Sequence, residues 1–184
     1  VAVNEHYRAV FPPDIHWSSD HAWALTSGFP VVKGKYKTVD WGEEGRDVRD
    51  FPNVDLSSSY FTYNSKYDFL SGYDFGVDSG VVHIADRHVS PGKKMFTWGV
   101  GDFGRSWCGK LTDEDGPYIE LMTGVFTCNQ PDFSWIWPHE LKRAEQYWYP
   151  IHGIGEVKSA TVDAALSAAF TGDNVAIGLN VTGA

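Results

Sequence analysis

Short apolar runs separated by turn-forming residues extend through most of this sequence, and they constrain its fold more than any other feature. The runs are rich in Val, Tyr, Phe and Thr, while Gly, Pro, Asn and Asp cluster between them. This is the composition of β-strands joined by turns. Almost no stretch shows a convincing amphipathic helix pattern. The sequence therefore predicts an all-β fold, an antiparallel β-sandwich with long loops and little helix. The predicted strands include residues 59–63, 81–86, 93–99, 118–127 and 144–151.

Two pairs of predicted strands are expected to form hairpins. Residues 81–86 and 93–99 flank a Ser-Pro-Gly turn, and residues 159–170 and 175–182 flank a Thr-Gly-Asp-Asn turn. Both connections have the turn chemistry of strands that return on themselves. The first arm of the second pair is rich in alanine, but its Thr-Val pair and the lack of a helix cap favour a strand.

The length of the chain fits a single domain. With 184 residues, residues 1–184 can bury one substantial core without disulfides or metals. The Gly-rich stretches 28–53 and 99–116 are predicted to be loops. Because the sequence enters a strand at once, with no signal peptide, we expect a fragment that lacks N-terminal strands of a larger domain, and a cytoplasmic location.

Charge and cysteine content exclude several classes of function. The net charge is −9 and no cluster of Lys and Arg occurs, so a nucleic-acid surface is disfavoured. No apolar run is long enough to span a bilayer. Cys108 and Cys128 form no disulfide framework. The polar group His16, Asp20 and His21 lacks the helical spacing of a zinc site, and no metal or cofactor is expected.

Glu120 is the most informative candidate for chemistry. It lies in a predicted strand among Tyr118, Ile119, Leu121 and Met122. If its side chain faces inward, burial raises its pKa and makes it suitable as an acid or base near neutral pH. The alternative is a glutamate on an edge strand that points to water, and the pattern leaves both open.

Aromatic residues suggest a ligand class. They make up 15% of the chain, which is typical either of a β-rich core or of a face that binds sugar rings by stacking. A polar Asn-Glu-His-Tyr group that contains His6 lies near a predicted strand end, where a β-domain places chemistry, although the pattern alone favours an ordinary half-exposed histidine. The candidate substrate-binding residues are Trp98, Arg105, Trp107, Asp86, Trp135 and Trp148.

The stretch from Met95 to Gly155, together with NEHYRAVFPPD near the start and GVVHIADRHVSPGKK in the middle, resembles the bacterial DUF5107 domain family. The likeness is to the C-terminal half of that domain. The family is similar to the galactose-mutarotase-like supersandwich group, and its members commonly precede tetratricopeptide repeats in longer proteins. The resemblance implies a supersandwich fold and a repeat region elsewhere in the parent protein.

The resemblance also implies roles for two residues. In aldose 1-epimerases of the same group, a strand-borne His acts as acid and a later Glu as base, so that the sugar ring opens and closes again. The Asn4–Tyr7 segment is similar to the one that carries the acid, which points to His6. The Tyr118–Leu121 segment is similar to the one that carries the base, which points to Glu120. No epimerase motif surrounds Asp86 or Arg105.

Three functions stay open from the sequence. The first is a carbohydrate-active enzyme of the epimerase or glycoside-processing type, with Glu120 as base and His6 as acid; a glycosidase needs a second carboxylate opposite Glu120. The second is a module that binds a carbohydrate without turning it over. The third is a scaffold or interaction domain for a repeat region. We expect carbohydrate recognition in some form, and the sequence leaves catalysis undecided.

Overall fold

A computed structural model describes residues 2–18, 30–33, 38–43, 45–128 and 132–183. Within these residues the chain is mostly β-strand, with one α-helix and a 3₁₀ turn at Phe51–Asn53. The elements in chain order are β1 (Tyr7–Val10), β2 (His16–Ser18), β3 (Val31–Lys33), β4 (Thr38–Asp40), β5 (Ser58–Tyr63), β6 (Phe69–Asp74), β7 (Ser79–Ile84), β8 (Gly92–Thr97), α1 (Asp102–Leu111), β9 (Ile119–Gly124), β10 (Tyr147–His152), β11 (Val157–Ala160), β12 (Ala164–Thr171) and β13 (Asn174–Val181).

These strands form three antiparallel sheets and a two-stranded ribbon. The central sheet has the order β1-β6-β7-β10, the Glu120 sheet has the order β2-β5-β8-β9, and the C-terminal sheet has the order β11-β12-β13. Strands β3 and β4 pair as the ribbon. The pairings among these strands are all antiparallel. The prediction of an all-β antiparallel sandwich with long loops and little helix is confirmed.

The central sheet is covered on both faces. Leu70 shares one hydrophobic cluster with Met95 and Leu121 of the Glu120 sheet. Phe69 shares a second cluster with Val157 and Ala165 of the C-terminal sheet. Neighbouring residues of a strand point to opposite faces, so Phe69 and Leu70 are both completely buried on opposite sides. The molecule therefore has three layers, with the central sheet in the middle.

Gly72 in β6 allows β1 to pack closely on the central sheet. A Cβ atom at this position would lie 1.8 Å from the hydroxyl oxygen of Tyr7, which is far inside van der Waals contact. Tyr7 is 4% exposed, and burial raises its pKa above the ordinary tyrosine range, with the charge of Asp74 adding to the effect. A glycine is required here because no other residue leaves room for the tyrosine ring.

Two basic side chains are buried between the central sheet and the Glu120 sheet. His83 and Lys93 are each 1% exposed. Nε2 of His83 lies 3.2 Å from Oε1 of Gln146, whereas Nδ1 of His83 and Nζ of Lys93 have no hydrogen-bond partner among the described residues. Burial lowers the pKa of His83 to about 4; the contact with Gln146 opposes this shift and the charge of Lys93 adds to it. Burial also lowers the pKa of Lys93.

A network of ion pairs connects the C-terminal sheet to the central sheet. Arg8 in β1 contacts Asp50 at 2.6 Å and Glu156 at 3.2 Å. Arg49 contacts Asp47 at 2.6 Å and Glu156 at 3.0 Å. Glu156 directly precedes β11, so its carboxylate holds the start of the C-terminal sheet against β1. Burial acts to raise the pKa of Glu156, but Lys158, Arg49 and Arg8 outweigh it and the pKa is lowered.

Two local predictions are wrong. The stretch 99–116 contains the helix α1, which two glycines obscure in the sequence. Gly104 is buried, and a Cβ there would lie 2.0 Å from the carbonyl oxygen of Gly99, so the glycine lets the helix pack against the preceding chain. Asp102 in the first turn and Lys110 in the last turn complement the helix dipole, and they are the signal that could have identified it.

The predicted hairpin between residues 81–86 and 93–99 does not form. Strand β7 belongs to the central sheet and β8 to the Glu120 sheet, so the Ser-Pro-Gly connection crosses between two layers. The final hairpin is confirmed as β12 and β13. The first two residues of its predicted first arm, 159–170, belong instead to the separate strand β11. The predicted loop 28–53 contains β3, β4 and the 3₁₀ turn wherever its residues are described.

Candidate functional site

Glu120 lies on the outer face of the Glu120 sheet. Its neighbours Ile119 and Leu121 are buried in the core, so the alternation of the strand directs Glu120 away from it. The side chain is half-buried, and the Tyr118 hydroxyl donates a hydrogen bond of 2.9 Å to its Oε1. Strand β9 is an edge strand of this sheet. Of the two orientations left open by the sequence, the edge-strand glutamate on the outer face is the one observed.

Three groups surround the carboxylate of Glu120: the Tyr118 hydroxyl, Lys94 and Phe96. Burial, followed by the hydrogen bond and the charge of Glu120, raises the pKa of Tyr118, so this hydroxyl stays protonated and donates. Burial lowers the pKa of Lys94, and the charge of Glu120 opposes that shift. Phe96 lies opposite Glu120 on β8. The carboxylate thus lies between a fixed donor, a cation and an aromatic ring.

An aromatic cluster adjoins this carboxylate. The rings of Trp98 and Trp107 stack with centroids 4.7 Å apart and planes 13° apart, and Phe96 meets Trp98 edge-on at 5.1 Å. The Nζ atom of Lys110 lies 4.9 Å from the Trp107 ring. Phe103 contacts both tryptophans. Trp98 and Trp107 therefore use much of their ring faces to pack on each other and on Lys110.

His6 and Arg105 lie on one surface that we call the His6 groove, which consists of two cavities that share Glu5 and Pro52. The first has a volume of about 380 Å³ and also contains His6, Tyr7, Gly45, Asp50, Asn53 and Phe75. The second has a volume of about 210 Å³ and also contains Phe51, Gly99, Val100, Arg105, Cys108 and Pro117. The fold thus brings together two residues that are almost one hundred positions apart in the sequence.

Polar groups in the His6 groove differ in how firmly they are held. The side chain of His6 is exposed, and its backbone N–H donates to Oδ1 of Asn4 at 2.8 Å. Nε of Arg105 donates to the carbonyl of Val100 at 2.8 Å, and its other nitrogens make no hydrogen bond to the described residues. Both oxygens of Asp50 accept from Arg8, at 2.6 and 2.9 Å. Glu5, His6 and Arg105 are therefore the charged or titratable groups available to a ligand.

Glu120 does not line the His6 groove. No hydrogen bond among the described residues joins Glu120 to His6, although Pro117 lines the groove and lies only three positions before Glu120. Helix α1 lies between the groove and the aromatic cluster, because Arg105 and Cys108 line the groove while Trp107 stacks in the cluster. Helix α1 thus separates five of the predicted site residues into two groups: His6 and Arg105 line the groove, and Glu120, Trp98 and Trp107 lie on the other side.

Asp86 and Trp148 belong to a third region. Asp86 lines a cavity of about 340 Å³ together with Val89, Arg143, Ala144, Glu145 and Tyr147. Trp148 is the residue after Tyr147, which lines this cavity. Its side chain is 49% exposed, and its ring centroid lies 4.4 Å from that of His83. His83 itself is a buried core residue. The structure does not bring Asp86 or Trp148 onto the His6 groove.

Trp135 lies in an irregular segment, residues 132–146, whose aromatic side chains are largely exposed. Trp135 is 67% exposed, and its neighbours Phe133 and Trp137 are 72% and 68% exposed. The Trp135 ring contacts both of them, at centroid distances of 5.3 and 6.3 Å. This aromatic segment is a separate surface from the His6 groove.

A model of the family described as "Domain of unknown function (DUF5107)" matches residues 11–151, most of the chain. This chain belongs to the DUF5107 family. The DUF5107 match includes β2 to β9 and nearly all of β10, and with them Glu120 and Arg105. His6 lies before it, and the C-terminal sheet lies after it.

One solved structure is similar to this DUF5107 domain. It is the crystal structure of a TPR-domain containing protein from Parabacteroides distasonis ATCC 8503, with 19% sequence identity and a TM-score of 0.47. The match covers 82% of this chain and 22% of that one. The DUF5107 chain thus spans about a fifth of the length of the protein it matches.

The described part of this DUF5107 domain shows few features of other kinds of site. In the described part of the chain, no group of three or more His, Cys, Asp or Glu residues could hold a metal ion. Asp20 and His21 lie outside that part. Cys108 and Cys128 are free thiols. None of the helices in the described ranges is long and apolar enough to cross a membrane.

Proposed function

We propose that this DUF5107 domain recognises a carbohydrate in the His6 groove. One observation carries the proposal: His6 and Arg105 line adjoining cavities that share Glu5. A sugar hydroxyl both donates and accepts, so a site for it needs both kinds of group. Arg105 supplies donors, Glu5 supplies acceptors, and the imidazole of His6 supplies either. The half-exposed ring of Phe75 offers an apolar surface to the face of a sugar ring.

The size of the groove supports a small ligand. Its two cavities of about 380 and 210 Å³ together lie within the range of pockets that hold small molecules, roughly 300–1,000 Å³. The cavities meet at Glu5 and Pro52, so a ligand of one or two sugar rings would contact His6 at one end and Arg105 at the other. Trp98, Trp107, Trp135, Trp148 and Asp86 are not needed for this mode of binding.

The epimerase-like step is the finer part of the proposal. Glu120 would remove a proton from the anomeric hydroxyl, and His6 would return one to the ring oxygen. The hydrogen bond from Tyr118 to Glu120 would orient the carboxylate. Glu120 lies beyond the Pro117 edge of the groove, so the sugar would need to extend from the groove across the start of β9. Recognition of the sugar does not depend on this step.

The experiment is a titration of the chain with a panel of free monosaccharides and disaccharides, in which binding is measured by nuclear magnetic resonance and by calorimetry. We expect binding that weakens at least about tenfold in His6→Ala and in Arg105→Gln, because each change removes a polar contact worth on the order of 1–2 kcal/mol. His88→Ala is the matched control, since His88 is also exposed but lies in the 86–90 turn. Unchanged affinity in His6→Ala would overturn the groove as the site.

Polarimetry of a sugar that binds separates recognition from catalysis. Accelerated mutarotation by the native chain that disappears in Glu120→Gln, with binding retained, would support the acid–base roles. Binding without acceleration in either form would leave recognition alone. Absence of binding across the panel would favour the second candidate function.

The second candidate is an interaction domain within a longer polypeptide, located in the cytoplasm. The exposed aromatic residues of segment 132–146 favour it, because large exposed apolar surfaces usually mark contacts with other protein surfaces. Leu141 in the same segment is 88% exposed. A repeat region of the tetratricopeptide type is the partner that we propose for this role.

A further inference from the structure

The outer face of the C-terminal sheet carries the largest side chains of its hairpin. In β13, Gly178 faces the central layers, since a Cβ there would lie 2.9 Å from Cβ of Ile154. By the alternation of the strand, the odd-numbered residues of β13 point away from the rest of the molecule. Together with their partners on β12, six apolar side chains are 39% to 78% exposed on this face: Leu166, Phe170, Val175, Ile177, Leu179 and Val181.

These side chains form one continuous surface. Leu166 pairs with Leu179, and Phe170 pairs with Val175, and directly opposed residues have Cβ atoms about 5 Å apart. Ala168 lies between the two pairs, opposite Ile177. We call this surface the hairpin face. It is an apolar stripe two strands wide and eight residues long.

The hairpin face is free of charge in a chain that is strongly acidic. Between Ala164 and Val181 the only charged residue is Asp173, which lies in the turn and not on the face. The net charge of the chain is −9, so two copies repel each other over most of their surface. A neutral, apolar patch is the place where two copies can approach with the least repulsion.

We propose that the hairpin face is the interface of a homodimer, in which a second copy of this chain packs its own hairpin face against the first. With full side-chain areas on the order of 200 Å² and the exposures given above, the face presents roughly 700 Å², close to the about 800 Å² that each partner buries in a standard interface. If the twofold axis of the dimer passes through the position of Ile177, both copies contribute the same side chains to the interface, as an isologous contact requires. This interface lies outside the residues 11–151 that define the family.

Sedimentation equilibrium of the 184-residue chain, from about 1 to 200 μM, tests the proposal. We expect a concentration-dependent increase from the 20.5 kDa monomer to twice that mass. Ile177→Lys and Phe170→Lys should raise the dissociation constant at least tenfold, because each buries a lysine in an apolar contact. The matched control is Leu141→Lys, which adds the same charge at a more exposed leucine outside the face.

The outcomes are distinguishable. Loss of the dimer in Ile177→Lys and Phe170→Lys, with the dimer retained in Leu141→Lys, supports the hairpin face. A monomer at every concentration overturns the proposal, as does a dimer that persists in both hairpin variants or that Leu141→Lys weakens equally. Far-ultraviolet circular dichroism and the unfolding midpoint of each variant at 1 μM show whether it is folded.

Discussion

The central sheet and the C-terminal sheet differ in how deeply neighbouring side chains of one strand are buried. In β6, Phe69 and Leu70 point in opposite directions and neither is exposed, because a layer of protein covers each face. In β12, Ala165 is fully buried while Leu166 is 39% exposed, because only one face is covered. The larger side chains of the hairpin lie on the uncovered face. The apolar residues of a segment therefore indicate that it forms a strand. How many faces of that strand are buried depends on the other layers that pack against its sheet.

A matched pair of phenylalanine substitutions gives the largest expected difference between these two regions. Phe69→Ala should lower the free energy of unfolding by about 3–5 kcal/mol, since it leaves a cavity in a closed core. Phe170→Ala should lower that of the monomer by less than about 0.5 kcal/mol, because the ring is 78% exposed and surface changes have small effects. Urea denaturation at 1 μM measures both. A comparable loss for Phe170→Ala would mean that the hairpin face is covered within the monomer.

The ion pairs of Glu156 connect the two regions, and their loss should have an intermediate effect. Glu156→Gln should lower the free energy of unfolding by about 1–3 kcal/mol, between the values for exposed and buried pairs. The pKa of Glu156 is lowered in the folded protein, and so is that of Asp47, where burial opposes the shift but Arg49 and Arg8 outweigh it. A carboxyl with a lowered pKa stabilises the fold above its unfolded value and loses this contribution as the pH falls through the folded value.

Thermal unfolding across the acid range checks this prediction. The native chain should lose stability as the pH falls below about 4, the ordinary range of these carboxyls. Glu156→Gln should start lower at pH 7 and lose less over the same interval. Equal slopes for the two forms would show that Glu156 contributes nothing to acid sensitivity.

The last predicted effect comes from His83, which is buried in the core, and it develops only below about pH 6.5. Its pKa falls to about 4 in the folded chain, against about 6.5 when unfolded. Between these values the unfolded state binds more protons, so stability should decrease as the pH falls from 6.5 to 4. His83→Gln should flatten the curve in this window, and His88→Gln, a change in an exposed histidine, should leave it unchanged. Identical curves for His83→Gln and the native chain would contradict the burial argument.

Local pattern was sufficient for most strands of this protein. Residues 59–63 were predicted as a strand and form most of β5, and the Thr-Gly-Asp-Asn turn was predicted to close the last hairpin, as it does between β12 and β13. Turn chemistry and β-propensity act over a few residues, so the sequence carries this information directly. Helix α1 was missed because Gly104 lowers helix propensity, while its benefit is a contact with Gly99 that the pattern does not show.

The candidate site was less accessible from the sequence. The pattern around Glu120 was compatible with two orientations, and the burial of Ile119 and Leu121 decided between them. The proximity of His6 to Arg105 depends on how the N-terminal segment and α1 both approach the 3₁₀ turn, which no local signal encodes. The acid–base pairing of His6 with Glu120 stays a prediction for the polarimetric test.

The sequence by itself determined that this chain forms antiparallel strands, where most of them lie, and which family it resembles, because these follow from side-chain preferences and residue identity over short distances. Only the tertiary structure decided which sheet each strand joins, that the central sheet is covered twice, and that His6 and Arg105 share a groove. These features depend on contacts between residues far apart in the chain. Their free energy comes from burying surfaces together, and the hairpin face shows the same apolar chemistry where none of the described residues forms a layer over it.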